Sequence, residues 1–199
     1  MADTMTFDER MSGFYSPLTT EPSRGYRLGQ RSDSYIHGQF RVTIEDMDRF
    51  VEDADHEAAL EGNVTVKDLG EEVPLSDGRF NLFRRSVGDV RQMIYRFDFS
   101  VGGVAFHVDG RKEIVDEPLA LDAIEDMTTL YTRIYRGAPP AGDLWAAGIM
   151  RFHLGDLPML LRSIQTPGAT GAQRLAIIRK FFAFAYGELS RTYLSFFHV

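Results

Sequence analysis

Between residues 95 and 108 (YRFDFSVGGVAFHV) apolar side chains occupy every second position on both sides of the pair Gly102-Gly103. Two glycines supply the positive φ angles of a tight primed turn, and the flanking alternation makes one face apolar and the other wet, so the segment predicts a β-hairpin. With a two-residue loop, Val101 faces Val104, Phe99 faces Phe106 and Phe97 faces Val108 on the apolar side. Asp98 then stands opposite His107, and Arg96 opposite Asp109, on the polar side.

The same period recurs upstream, where Phe40, Val42 and Ile44 alternate with Arg41, Thr43 and Glu45. Asp46 is a natural N-cap for a short helix over MDRFVED. Further strands are predicted at residues 63–67, 79–84, 90–101, 104–115, 128–136 and 144–154, joined by turn chemistry at Gly70, Asp77-Gly78 and 138–142 (APPAG). In the last of these strands the alternation does not decide whether Trp145, Ala147 and Ile149 or Met150 and Phe152 face inward. About seven or eight antiparallel strands in sequence order describe an up-and-down, lipocalin-like barrel or a two-layer sandwich, and the barrel is the expected fold.

The period changes after residue 155. Asp156-Leu157-Pro158 reads as a helix start, and a long helix is expected from about Ala172 to Phe196, with Leu175, Ile178, Phe182, Ala185, Leu189 and Tyr193 at spacings of three and four. Phe181, Phe184 and Phe196 widen the apolar stripe beyond what one docked face requires. The organisation expected is an extended Gly-, Pro- and Ser-rich arm over residues 1–35 carrying Phe14, Tyr15 and Tyr26, a barrel over 36–155, and helices over 156–199 that pack on the barrel, with pairing of two copies of the chain or contact with a membrane surface as the alternatives.

A length of 199 residues suits one domain with a substantial core. A formal charge of −7 without a basic cluster argues against nucleic acid. The absence of cysteine removes thiolate catalysis and cysteine-based metal sites, and fits a cytoplasmic setting. The first residues lack the basic and apolar run of a secretory signal, and no stretch reaches the roughly 18 apolar residues of a membrane span.

Five histidines, at 37, 56, 107, 153 and 198, show no ligand spacing, so no metal site is expected. Serine-hydrolase, nucleotide-hydrolase and dinucleotide-binding motifs are missing, so no cofactor is expected. An oily chamber is expected from Val42, Met93, Tyr95, Phe97, Phe99, Phe106, Val108 and Tyr131. Gly110-Arg111-Lys112-Glu113, with Asp126, Thr128, Thr129, Tyr131 and Arg133, would form its polar rim, where Arg111 or Lys112 fixes an acidic or enolic head. Tyr95, Tyr131 and Arg111 are the candidates for polarising a carbonyl.

The segments FNLF (80–83), GRKEI (110–114), TTLYTRIYRG (128–137), AAGIMRF (146–152) and RKFFAFAYGELSRTY (179–193) together resemble an accessory region of large bacterial flavoproteins of the glucose–methanol–choline oxidoreductase class, in the cholesterol-oxidase-like branch. The flavin-binding glycine fingerprint of that class is missing, so the resemblance implies no flavin chemistry in this chain. Three functions follow as expectations. The first is a cofactor-free cyclase or isomerase, similar in type to small barrel enzymes of natural-product biosynthesis, that pre-folds an apolar intermediate such as a linear polyketide. The second is a non-catalytic carrier of a lipid or sterol that partners a flavin oxidoreductase. The third is a solid structural module whose interior is filled by its own phenylalanines.

Overall fold

The diglycine turn closes the hairpin in the expected register. A computed structural model describes residues 3–86, 91–114, 127–137 and 142–194. In it, strands β6 (Arg91–Val101) and β7 (Val104–Ile114) pair Val101 with Val104, Phe99 with Phe106, Phe97 with Val108 and Asp98 with His107. Gly102 and Gly103 have φ of 57° and 78°, a left-handed pair that costs a residue with a Cβ far more than it costs glycine.

Around this hairpin the chain winds as an antiparallel meander. Strands β1 (Met5–Ser16), β2 (Tyr35–Ile44), β3 (Glu57–Val66), β5 (Ser76–Arg85), β6, β7, β8 (Thr129–Arg136) and β9 (Asp143–Phe152) each pair with the next, and β9 returns to β1. The result is a closed eight-stranded barrel, with β4 (Gly70–Pro74) added along β3. Closure leaves no free edge among the eight strands, which removes the usual route to edge-to-edge aggregation. Helix α2 (Met47–Glu52) starts where expected, its N-cap Asp46 accepting from the Arg49 amide. Helices α3 (Leu157–Ser163) and α4 (Gly171–Leu194) follow the barrel.

The N-terminal segment corrects the expectation of an extended arm. Residues 5–16 form a barrel strand, and residues 22–32 form helix α1 (Pro22–Ser32), opened by Glu21, whose carboxylate accepts from the amides of Ser23 and Arg24. Gly25 and Gly29 weaken the intrinsic helix preference but permit the contact that holds it. A Cβ on Gly25 would lie 2.0 Å from the carbonyl oxygen of Ala147, and one on Gly29 would lie 2.3 Å from that of Tyr15. The helix therefore rests directly on the backbone of β9 and β1, with Tyr26 edge-on to Phe14.

The inward positions resolve the ambiguity of β9. Leu130 pairs with Met150 and Ile134 with Ala146, so the even-numbered residues face the core, while a bulge between Ile134 and Tyr135 brings Trp145 against Tyr15 and Phe106. Residues 138–141 of the turn expected at 138–142, Asp126 and the expected helix end at Phe196 lie outside the described residues.

Candidate functional site: a half-filled barrel with a polar floor

The barrel interior divides into two halves. Toward the diglycine turn it is solid: Phe99 stacks on Phe106 at 5.1 Å, Phe40 meets Phe97 at 5.5 Å, and Val108 and Trp145 complete the packing. Toward the opposite end a chamber of about 400 Å³ remains between β1, β5, β6 and helices α3 and α4. That volume lies inside the roughly 300–1,000 Å³ of small-molecule sites. Its walls include Phe7, Phe80, Leu82, Phe83, Met93 and Leu160, with Phe181, Ala185 and Leu189 as the roof. A second cleft, of about 310 Å³ beside α2, is lined largely by charged surface residues such as Arg49, Asp53 and Glu57.

A backbone irregularity shapes the wall. The β5–β6 ladder shifts register between Asn81 and Arg84, and Phe83 is left-handed at φ 56°. Such a conformation disfavours a bulky residue by about 1–3 kcal/mol, and the bulge turns both Leu82 and Phe83 into buried positions facing the chamber.

Two polar side chains, Glu9 and Tyr95, line this apolar space, and a third, Lys112, touches both from outside its wall. The inward alternation of β1 is Met5, Phe7, Glu9, Met11, so Glu9 is carried into the core by the same pleat that buries its neighbours. The Tyr95 hydroxyl donates to Glu9 Oε2 at 2.7 Å. Lys112 Nζ lies 3.6 Å from Glu9 Oε1 and 3.5 Å from the Tyr95 hydroxyl, and 5.1 Å from the centre of the Tyr95 ring. All three are buried, and Glu9 and Tyr95 form part of the chamber wall. Burial, and then the adjacent Glu9 carboxylate, hold the Tyr95 phenol well above its ordinary value of 10.0. Burial pulls the Lys112 ammonium below its ordinary 10.5, with Glu9 acting in the opposite direction. The group is thus an acceptor, a neutral phenol and a weakened cation in contact, with apolar walls beyond.

The roof is fastened by specific contacts. Arg91 Nε pairs with Glu188 Oε2 at 2.9 Å, both side chains being 7% exposed. Phe184 packs on Phe50, His56 and Phe83, Phe181 meets Phe7 at 6.1 Å, and Lys180 pairs with Asp48.

The expected site residues separate into three groups. Met93 and Tyr95 line the chamber. Val42, Phe97, Phe99, Phe106 and Val108 are buried in the packed core and form no part of its wall, a correction that follows from the aromatic rings filling their half of the barrel. Tyr131 and Arg111 are likewise corrected. They pair with one another on the outer face, Tyr131 40% exposed and Arg111 bonded to Asp109, so neither reaches Tyr95 or the chamber. The Asp98–His107 pair forms at 2.6 Å, also on the outer face.

The sequence does not single out Glu9, it names Phe181, Ala185 and Leu189 only as part of a helix stripe that packs on the barrel, and it puts Lys112 at the rim. The signal for Lys112 was present: continuing the alternation Phe106, Val108, Gly110 places it inward, opposite Met93. Among the described residues no three histidine or carboxylate side chains gather to hold a metal ion. No family model, curated protein or solved structure matches the chain.

Proposed function

We propose that the chamber binds an apolar small molecule carrying one carbonyl or enol group, and that the protein acts on it as a cofactor-free cyclase or isomerase. The observation that carries this reading is the placement of Glu9 and Tyr95 in the wall of an otherwise apolar cavity, with Lys112 in contact with both. A carrier needs only the walls. A buried carboxylate held beside a phenol and an ammonium is costly, since each ion loses several kcal/mol of hydration, and it supplies what an enolisation or ring closure uses.

In this reading the hydrocarbon body of the substrate lies against Phe80, Leu82, Met93 and Phe181, and its polar group reaches Glu9 and Tyr95. Confinement of a flexible chain in a near-attack conformation removes entropic barrier, on the order of 7 kcal/mol in favourable intramolecular cases. Glu9 is placed to accept a proton adjacent to the carbonyl, while Tyr95 and Lys112 hold that carboxylate in position and offset its charge.

Incubation of the protein with linear β-keto chains of graded length, followed by mass spectrometry and chromatography, tests the proposal. The expected product has unchanged mass and altered retention, and Glu9→Gln suppresses its formation while retaining ligand binding. Binding without any rate increase over the uncatalysed reaction rejects catalysis in favour of the carrier function.

A further inference from the structure

Helix α4 is apolar over more of its circumference than the barrel covers. Ile177, Phe181, Phe184 and Glu188 face the barrel, whereas Leu175, Phe182 and Tyr186 are 58%, 42% and 74% exposed. Their spacing of seven and four residues puts the exposed three on one line along the helix, and Arg179 falls between them on the same line. Helix α3 and the turn before it repeat the pattern, with Leu154, Leu157 and Leu161 about half exposed beside Arg162. Of the eight large apolar side chains exposed among the described residues, these six belong to the two C-terminal helices and that preceding turn. Both helices border the chamber, and Phe182 and Tyr186 belong at once to its wall and to the exposed stripe, so the opening lies at this face.

The charge of the face is opposite to that of the whole chain. The protein carries −7, yet Arg162, Arg174 and Arg179 are exposed here, and none of the three enters an ion pair among the described residues. Of the nearby carboxylates, Glu188 is buried against Arg91, and Asp156, between Leu154 and Leu157, is half-buried, so the arginines outnumber the exposed acids. Exposed leucine and aromatic side chains interleaved with arginines give this face both the apolar groups that enter a lipid interface and the cations that meet its phosphates.

We propose that the outer face of α3 and α4 docks on an anionic lipid surface, with the chamber opening turned toward the acyl chains. Leucines and aromatics enter the interface, the arginines meet lipid phosphates, and the acidic remainder of the barrel is held on the solvent side. The inference is independent of any chemistry at Glu9.

Co-sedimentation of the full chain with phosphatidylglycerol–phosphatidylcholine vesicles, and with phosphatidylcholine alone, tests it. The expected result is at least roughly tenfold stronger partition onto the anionic vesicles, weakening as salt is added. Leu175→Glu/Arg179→Glu should abolish partition while leaving circular dichroism and Trp145 fluorescence unchanged, because both positions are exposed and neither lines the chamber. Arg162→Gln/Arg174→Gln should reduce it with the apolar stripe intact. No partition onto either vesicle, or equal partition onto both, overturns the proposal. So does a stable dimer in light scattering that Leu175→Glu/Arg179→Glu separates, since the face would then be covered by a second copy.

Discussion

Replacing Lys112 by Met removes the cation from the buried trio and leaves the Glu9 carboxylate with the Tyr95 hydroxyl as its hydrogen-bond donor. At 3.6 Å the Lys112–Glu9 attraction is on the order of 4–5 kcal/mol for an effective dielectric near 20. Removing one partner of a buried pair costs about 3–5 kcal/mol, because the remaining charge stays desolvated without compensation. The chain is expected to lose that much stability near neutral pH. The double variant Glu9→Gln/Lys112→Met should recover most of it, giving a coupling energy of at least about 2 kcal/mol in the thermodynamic cycle. Urea unfolding is followed conveniently by Trp145, the single tryptophan, which packs on Tyr15 and Phe106. A Lys112→Met variant as stable as the parent, or additive single and double variants, would refute the claim that the three groups form one buried electrostatic unit.

Phe97→Ala should cost about 3–5 kcal/mol and leave chamber affinity unchanged, because the ring is fully buried in the solid half; a loss of ligand binding without a loss of stability would place it in the wall instead. Gly29→Ala gains about 1 kcal/mol of helix propensity but drives a methyl to 2.3 Å from the Tyr15 carbonyl oxygen, so a net destabilisation of about 1–3 kcal/mol is expected in thermal melts. Tyr15 is pushed up to about 12 by burial and then by Asp68, and Tyr95 is also raised. Phenols whose folded values exceed the unfolded value of 10 stabilise the fold fully below pH 10 and lose that contribution as the pH climbs through the folded values. Phenolate absorbance should therefore include at least two tyrosines that ionise well above pH 10, with stability falling above pH 10; complete tyrosine ionisation near pH 10 would contradict this burial.

Much of the barrel was legible because its strands alternate. The hairpin register, the Asp46 cap, the start of α3 and the long C-terminal helix all follow from local patterns that the tertiary structure does not override. The N-terminal strand was hidden by Arg10 and by Ser12-Gly13 within MTFDERMSGFYS, and by Glu9 at an inward position. A charged residue breaks the apolar alternation there because it has a partner in the core. Helix α1 was hidden for a related reason: Gly25 and Gly29 read as turn residues, yet they are required where the helix meets backbone. The expected chamber spans both halves of the barrel: Met93 and Tyr95 line the cavity, whereas Phe97, Phe99 and Phe106 belong to the packed half. Alternation identifies which side chains point inward, but whether opposing rings meet or leave space depends on their heights along the barrel and on the roof helix, and both are long-range properties.

The most direct test of a half-open barrel is titration with a fluorescent apolar probe. Wild-type protein should bind one equivalent, with the signal displaced by a hydrocarbon chain bearing a ketone. Ala185→Trp, which places an indole in the roof of the chamber, should abolish binding while Phe106→Leu in the packed half should not. Equal binding by the parent and Ala185→Trp, or no binding by the parent, would contradict the existence of the chamber as a ligand site.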